Sequence, residues 1–172
     1  MASSLSQTVF FSILLLLSFH QASAKKTHLH FYFHEILSGP NATVMTVVNP
    51  SNNTNSFTFG AIAVIDDLLL EGQDDNSTLI GRAQGLVGAV GRDGSLESML
   101  NFVFTEGKYN GSTLAIYGRV VQGVTIERPV IGGTGMFRMA TGYSVAKPAD
   151  VSATKLVYEF DVYVWHKKMK DN

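Results

Sequence analysis

The chain contains no cysteine, and that single absence excludes disulfide bridges, thiolate nucleophiles and zinc–cysteine sites. It has no surplus of positive charge. Lys and Arg number 13 against 14 Asp and Glu, for a formal net charge of −1, whereas a nucleic-acid binder needs cations to meet phosphates. Proline is scarce, with four in 172 residues, and there is one tryptophan. The only long apolar run, Val9 to Phe19, spans eleven residues, too short for the roughly 20 that a membrane-spanning helix requires. No membrane contact is therefore expected.

That run has a different reading. Residues 1–24 carry no Lys, Arg, Asp or Glu, and the apolar stretch is followed by Ala22-Ser23-Ala24 ahead of Lys25. An apolar core before a small-x-small pattern is the signature of a secretory signal peptide cleaved after Ala24. The expected domain is residues 25–172, working outside the cell and held together by burial and hydrogen bonds alone. Four N-x-S/T sequons fit that compartment, at Asn41, Asn52, Asn76 and Asn110.

What the chain does have is 16 glycines and a succession of short apolar stretches with period-two alternation. The pattern predicts strands over 29–36, 44–48, 57–65, 79–90, 96–105, 114–121, 125–131, 137–145 and 156–165. The third of these is read as ending at Asp66-Asp67, taken with Asp74-Asp75 as turn acids. Arg92-Asp93-Gly94, residues 106–111 and Gly132-Gly133-Thr134-Gly135 read as turns. No amphipathic helix is visible. Turn signals every 8–15 residues point to an all-β fold of about eight strands, an antiparallel barrel or sandwich. An eight-stranded barrel has an interior that side chains fill or that holds one small ligand. Apolar residues on both faces of several strands predict an outer surface covered by further copies of the chain, hence a homo-oligomer.

Few residues carry chemistry. Glu35 shares a strand face with Leu29, Phe31 and Phe33, while His28, His30, Tyr32 and His34 take the other. An acid aligned with large apolar groups either meets water at the strand end or points into the lumen, where lost hydration makes it a proton donor. Arg119 and Arg128 interrupt otherwise apolar strands, and a cation buried there needs a polar partner. Three imidazoles at period-two spacing form a surface face rather than a metal site, since no carboxylate cluster accompanies them, and no metal is expected. The glycines of 132–135 lack the Lys-Ser/Thr of a phosphate loop.

Taken in order, Phe31-Tyr32-Phe33-His34-Glu35-Ile36, Ile65-Asp66-Asp67, Gly81-Arg82-Ala83-Gln84-Gly85, the stretch from Asn101 to Ser112, and Gly132 to Arg138 resemble the motifs of plant dirigent proteins across residues 27–165. The resemblance implies an eight-stranded barrel with a central apolar pocket, secreted to the apoplast, glycosylated and dimeric or trimeric. It implies no cofactor and no oxidising centre. Family members bind phenoxy radicals made by a separate laccase or peroxidase and steer their coupling in lignan and phenylpropanoid biosynthesis. Some relatives instead lose water and close a ring through a quinone methide, acting as lyases on isoflavonoid-like alcohols. A binding-only wall or defence protein is a further alternative. By this resemblance Glu35 stands where the family places an acid and Arg128 near the family's pocket arginine. Phe31, Phe33 and Arg119 would line the pocket. Where lignan-forming members have a second acid, this chain has Arg119. Where relatives have an aromatic residue after the Gly-Arg-Ala-Gln-Gly motif, it has Leu86 and Val87.

Overall fold

The computed structural model describes residues 24–50 and 57–167. The expected leader, up to residue 23, and the sequon at Asn52 lie outside them. The described residues form nine strands: β1 (Ala24–Ile36), β2 (Val44–Val48), β3 (Ile62–Leu70), β4 (Leu79–Ala89), β5 (Leu96–Phe104), β6 (Thr113–Val120), β7 (Ile126–Thr134), β8 (Thr141–Val151) and β9 (Lys155–Lys167). Eight form a closed antiparallel barrel in the order β1-β9-β8-β7-β6-β5-β4-β3.

Closure is made by only part of β1. Tyr32, Phe33 and His34 pair with Leu70, Leu69 and Leu68 of β3, while all of β1 pairs with β9. The rest of the β3 edge is taken by the ninth strand, β2, from Val44 opposite Ile65 to Val48 opposite Ile62. The extra strand thus covers an edge that would otherwise expose unpaired backbone groups.

Alternation dictates which side chains enter the barrel. In β9 the inward row is Leu156, Tyr158, Phe160, Val162 and Val164, and in β1 it is Leu29, Phe31 and Phe33, continuing to Glu35. One end of the lumen is filled. Phe31 stacks on Phe160 with centroids 5.7 Å apart, and Phe102 meets both rings edge-on at 5.3 Å. Phe137 closes this end, against Phe104 and beneath His166.

Glycine permits close strand contact at two of the motif positions. A side chain at Gly85 would meet the Met99 carbonyl at 1.9 Å, and one at Gly133 would meet the Thr113 carbonyl at 2.6 Å. Gly132 to Thr134 therefore continue β7 instead of forming a turn, and Gly135–Phe137 make a short 3₁₀ turn after it. The strand expected at 137–145 accordingly begins at Thr141 and runs to Val151.

The third strand departs most from the sequence reading. Phe57 to Ala61 precede β3, and Asp66-Asp67 lie in its middle, not at its end. Two consecutive acids resemble a turn, but here they face opposite ways. Asp66 points outward and is bound by Arg82 and Gln84 of β4. Asp67 points inward and is fully buried.

Candidate functional site

The half of the lumen left open by the aromatic plug is a cavity of about 510 Å³. That lies within the roughly 300–1,000 Å³ typical of small-molecule sites. Phe33, Ile65, Leu100 and Phe160 give it apolar walls. Glu35, Ser98, Arg128 and Tyr158 are polar groups of its lining, with Thr46, Asn49 and Gln122, and Leu37 and Phe57 also line it.

Arg128 enters from β7, 4% exposed. Its Nη1 donates to Ser98 Oγ at 2.6 Å, and its guanidinium carbon stands 5.5 Å from the centroid of Phe160. Ser144 Oγ in turn donates to the Arg128 carbonyl at 3.2 Å, fixing the strand that carries it. Burial lowers the Arg128 pKa to about 10, so the group remains a cation at neutral pH. Among the described residues no carboxylate pairs with it, and its buried Nε has no hydrogen-bond partner. A desolvated cation with a free donor favours an anionic or strongly accepting oxygen on a ligand.

Glu35 enters from β1, with Leu156 of β9 as its strand partner. Loss of hydration raises its pKa to about 7. Near neutrality this acid holds its proton yet can give it up, which suits general acid catalysis. Tyr158, on the same wall, is pushed up first by burial and then by the Glu35 charge.

A second carboxyl lies close by that sequence reasoning took for a turn acid. The β1–β3 pairing ends at His34 opposite Leu68; Glu35 and Asp67 are the next residues on the two strands, and the Glu35 charge acts on Asp67. Burial first, then the Glu35 charge, raises the Asp67 pKa to about 8, against the opposing hydrogen bond from Thr43. The signal was present in the inward row Ile65, Asp67, Leu69, whose parity continues that of Ala61 and Ala63.

Two expected pocket residues lie elsewhere. Arg119 shares the outward parity of Tyr117 on β6; its side chain is 60% exposed and donates to Asp93 Oδ2 at 2.9 Å. Phe31 is fully buried in the aromatic plug and reaches the cavity only through the Phe160 it stacks on. Phe33 does line the cavity. Of the pair after Gly85, Val87 faces the cavity and Leu86 faces out. His28 and His30 lie on the outer wall against Asp161, at 2.7 and 3.2 Å. His34 is covered by the 71–78 loop, beside Asp75 and the Gly72 carbonyl. Among the described residues no cluster of His, Asp and Glu is arranged to hold a metal.

The raised acids carry a consequence for stability. Both bind a proton more readily in the folded chain than in the unfolded one, where they return to about 4.5 and 3.8. Their contribution is intact below those values and is lost as pH rises toward about 7 and 8. Asp67→Asn removes one of them. The variant should gain urea midpoint relative to the wild-type protein between pH 5 and pH 9; a constant difference would show that Asp67 is not protonated.

Comparison with known proteins agrees with this architecture. The family described as Dirigent-like protein matches residues 26–165. The chain is 43% identical over 147 residues to Dirigent protein 11 of Arabidopsis thaliana, covering 83% of this chain and 75% of that one. It is 38% identical over 148 residues to Pterocarpan synthase 1 of Glycyrrhiza echinata, covering 83% and 79%. The solved structure of the pterocarpan synthase dirigent protein GePTS1 superposes with a TM-score of 0.80 at 36% identity, over 87% of this chain and 89% of that one. The fold is an antiparallel β-barrel with an internal cavity that Glu35 and Arg128 line, and the chain belongs to the dirigent family.

Proposed function

We propose that this protein is a dirigent-family lyase that removes water from a phenolic benzylic alcohol and guides ring closure through a quinone methide. The observation that carries the reading is that Glu35, held up at a pKa of about 7 by burial, and the buried cation Arg128 line one apolar cavity. The similarity to pterocarpan synthase supports it, in sequence and in structure.

The substrate binds as its phenolate beside the Arg128 guanidinium, with its ring against Phe33 and Phe160. Glu35 gives its proton to the benzylic hydroxyl, the C–O bond breaks, and water leaves. The phenolate electrons flow into the ring, giving a neutral quinone methide. A second hydroxyl of the same molecule then attacks the benzylic carbon and returns its proton to Glu35. The product phenolate is regenerated beside Arg128, and the net change is loss of one water. The walls hold the attacking hydroxyl on one face, which sets the handedness. The test is incubation with a panel of isoflavonoid-like alcohols and no oxidase, followed by chiral chromatography. Enantioselective cyclisation supports the reading; no turnover across the panel overturns it.

The aromatic walls and the kinship with dirigent proteins favour a second reading, a stereochemical guide for phenoxy radicals. A laccase or peroxidase would supply the radicals and this protein only their orientation. In that case a laccase alone gives racemic lignans, and added protein gives an excess of one enantiomer.

We further propose that it works outside the cell as a glycosylated homo-oligomer. Asn41, Asn76 and Asn110 are exposed and free to carry glycans. Met45, Val64, Leu86, Met99 and Tyr117 are exposed and lie opposite one another on five adjacent strands, a continuous apolar band on the outer wall. Leu86→Glu should convert a dimer or trimer to monomer in analytical ultracentrifugation while leaving the cavity intact.

A further inference from the structure

Thr43 is placed where three strands converge. It precedes β2, accepts the Ile36 amide of β1 at 2.9 Å and donates to Asp67 Oδ1 of β3. It thereby ties the strand that carries Glu35 to the strand that carries Asp67, at the point where β1 and β3 part. Asp67 is fully buried, and among the described residues its Oδ2 has no hydrogen-bond partner. A carboxylate oxygen left bare in an apolar wall is costly. A proton on Asp67 removes the charge and most of that cost, and the charge of Glu35 favours that proton.

We propose that Thr43 and Asp67 are positioning residues that set the proton occupancy of Glu35, so that the two carboxyls titrate as one pair. The proposal rests on the lyase reading for its catalytic meaning, but the coupling itself does not. After Glu35 has protonated a leaving hydroxyl, its new charge lies beside a neutral Asp67 rather than a second anion. The same neighbour keeps Glu35 ready to recover a proton from the attacking hydroxyl. Thr43 fixes Oδ1 and so leaves Oδ2 as the oxygen that carries the proton.

The other ionisable groups near the pair are accounted for. Asp66 and Arg82 also act on Asp67, with opposite signs, and are bound to each other on the outer wall. Tyr158 responds to Glu35 and to Arg128 across the cavity. None of these stands between the two acids in the register.

The pair is read directly by carbon-13 NMR of the carboxyls against pH, which needs no substrate. The wild-type chain should show two steps, each sensed by both residues, because repulsion between two acids belongs to the pair. Glu35→Gln should lower the Asp67 midpoint by about one unit, a tenfold change in proton affinity. Thr43→Val should raise it, since a hydroxyl donated to a carboxylate favours the ionised form, and Thr43→Ser should restore it. Thr43 is also the third residue of the Asn41 sequon. Asn41→Gln, which loses the sequon but keeps the hydroxyl, should titrate as the wild type. In a cyclisation assay Asp67→Asn should shift the alkaline limb of kcat while KM changes little; a purely structural role would alter stability and leave the limb in place. Independent single steps, unchanged by removal of the partner, overturn the proposal. Coupled titration without turnover on any alcohol would uphold it and sink the lyase reading instead.

Discussion

Glu35→Gln should lower enzymatic cyclisation by about 10²- to 10⁴-fold, the usual worth of a well-placed general acid. The amide keeps the size and much of the polarity of the acid but has no proton to give. The loss should fall on kcat, because the side chain meets the hydroxyl that leaves and not the ring that anchors the substrate. Wild-type activity should decline above about pH 7, where Glu35 loses its proton. Glu35→Gln should be uniformly slow and show no such limb. Far-UV circular dichroism should be unchanged, since the substitution removes a group whose burial disfavours charge. A variant with wild-type turnover would remove Glu35 from the chemistry altogether.

The largest effect on stability belongs to the closed end of the barrel. Phe102 is fully buried, and its ring meets Phe31 and Phe160 edge-on at 5.3 Å each. Phe102→Ala should cost about 3–5 kcal/mol, the usual range for truncating a core aromatic. Rings held on three strands cannot slide together to fill the space. The loss is measurable as a fall in urea midpoint, and Phe102→Leu should recover part of it. The site should feel the change as well. Phe160, which Phe102 supports, is the ring beneath the Arg128 guanidinium. Loss below about 1 kcal/mol would mean that the plug collapses freely and does not act as a rigid floor.

Much of this architecture was legible in the chain. Period-two alternation located β1, β2, β5 and β9 within a few residues and put Leu29, Phe31, Phe33 and Glu35 on one face. Barrel closure then required that face to be the lumen. Arg128 was marked by its place among apolar neighbours and does line the cavity. Arg119 carried the same mark, yet it faces water. A cation flanked by apolar residues reads alike on either face, and only the parity of β6 in the closed sheet separates the two.

Asp67 shows where local reading fails. Consecutive acids before Leu68 look like the end of a strand, because nothing nearby in sequence reveals a partner for a buried carboxyl. It is bound by Thr43, 24 residues earlier, and feels the charge of Glu35 on a strand brought alongside by barrel closure. The sequence by itself determined an all-β chain, the family motifs and the inward acid of the first strand, since alternation and glycine placement are local properties. Which cations enter the lumen, which rings fill it, and the burial of Asp67 beside the β1–β3 seam were decided by tertiary structure. Those contacts join residues far apart in the chain, and their energies arise from burial that exists only once the sheet has closed on itself.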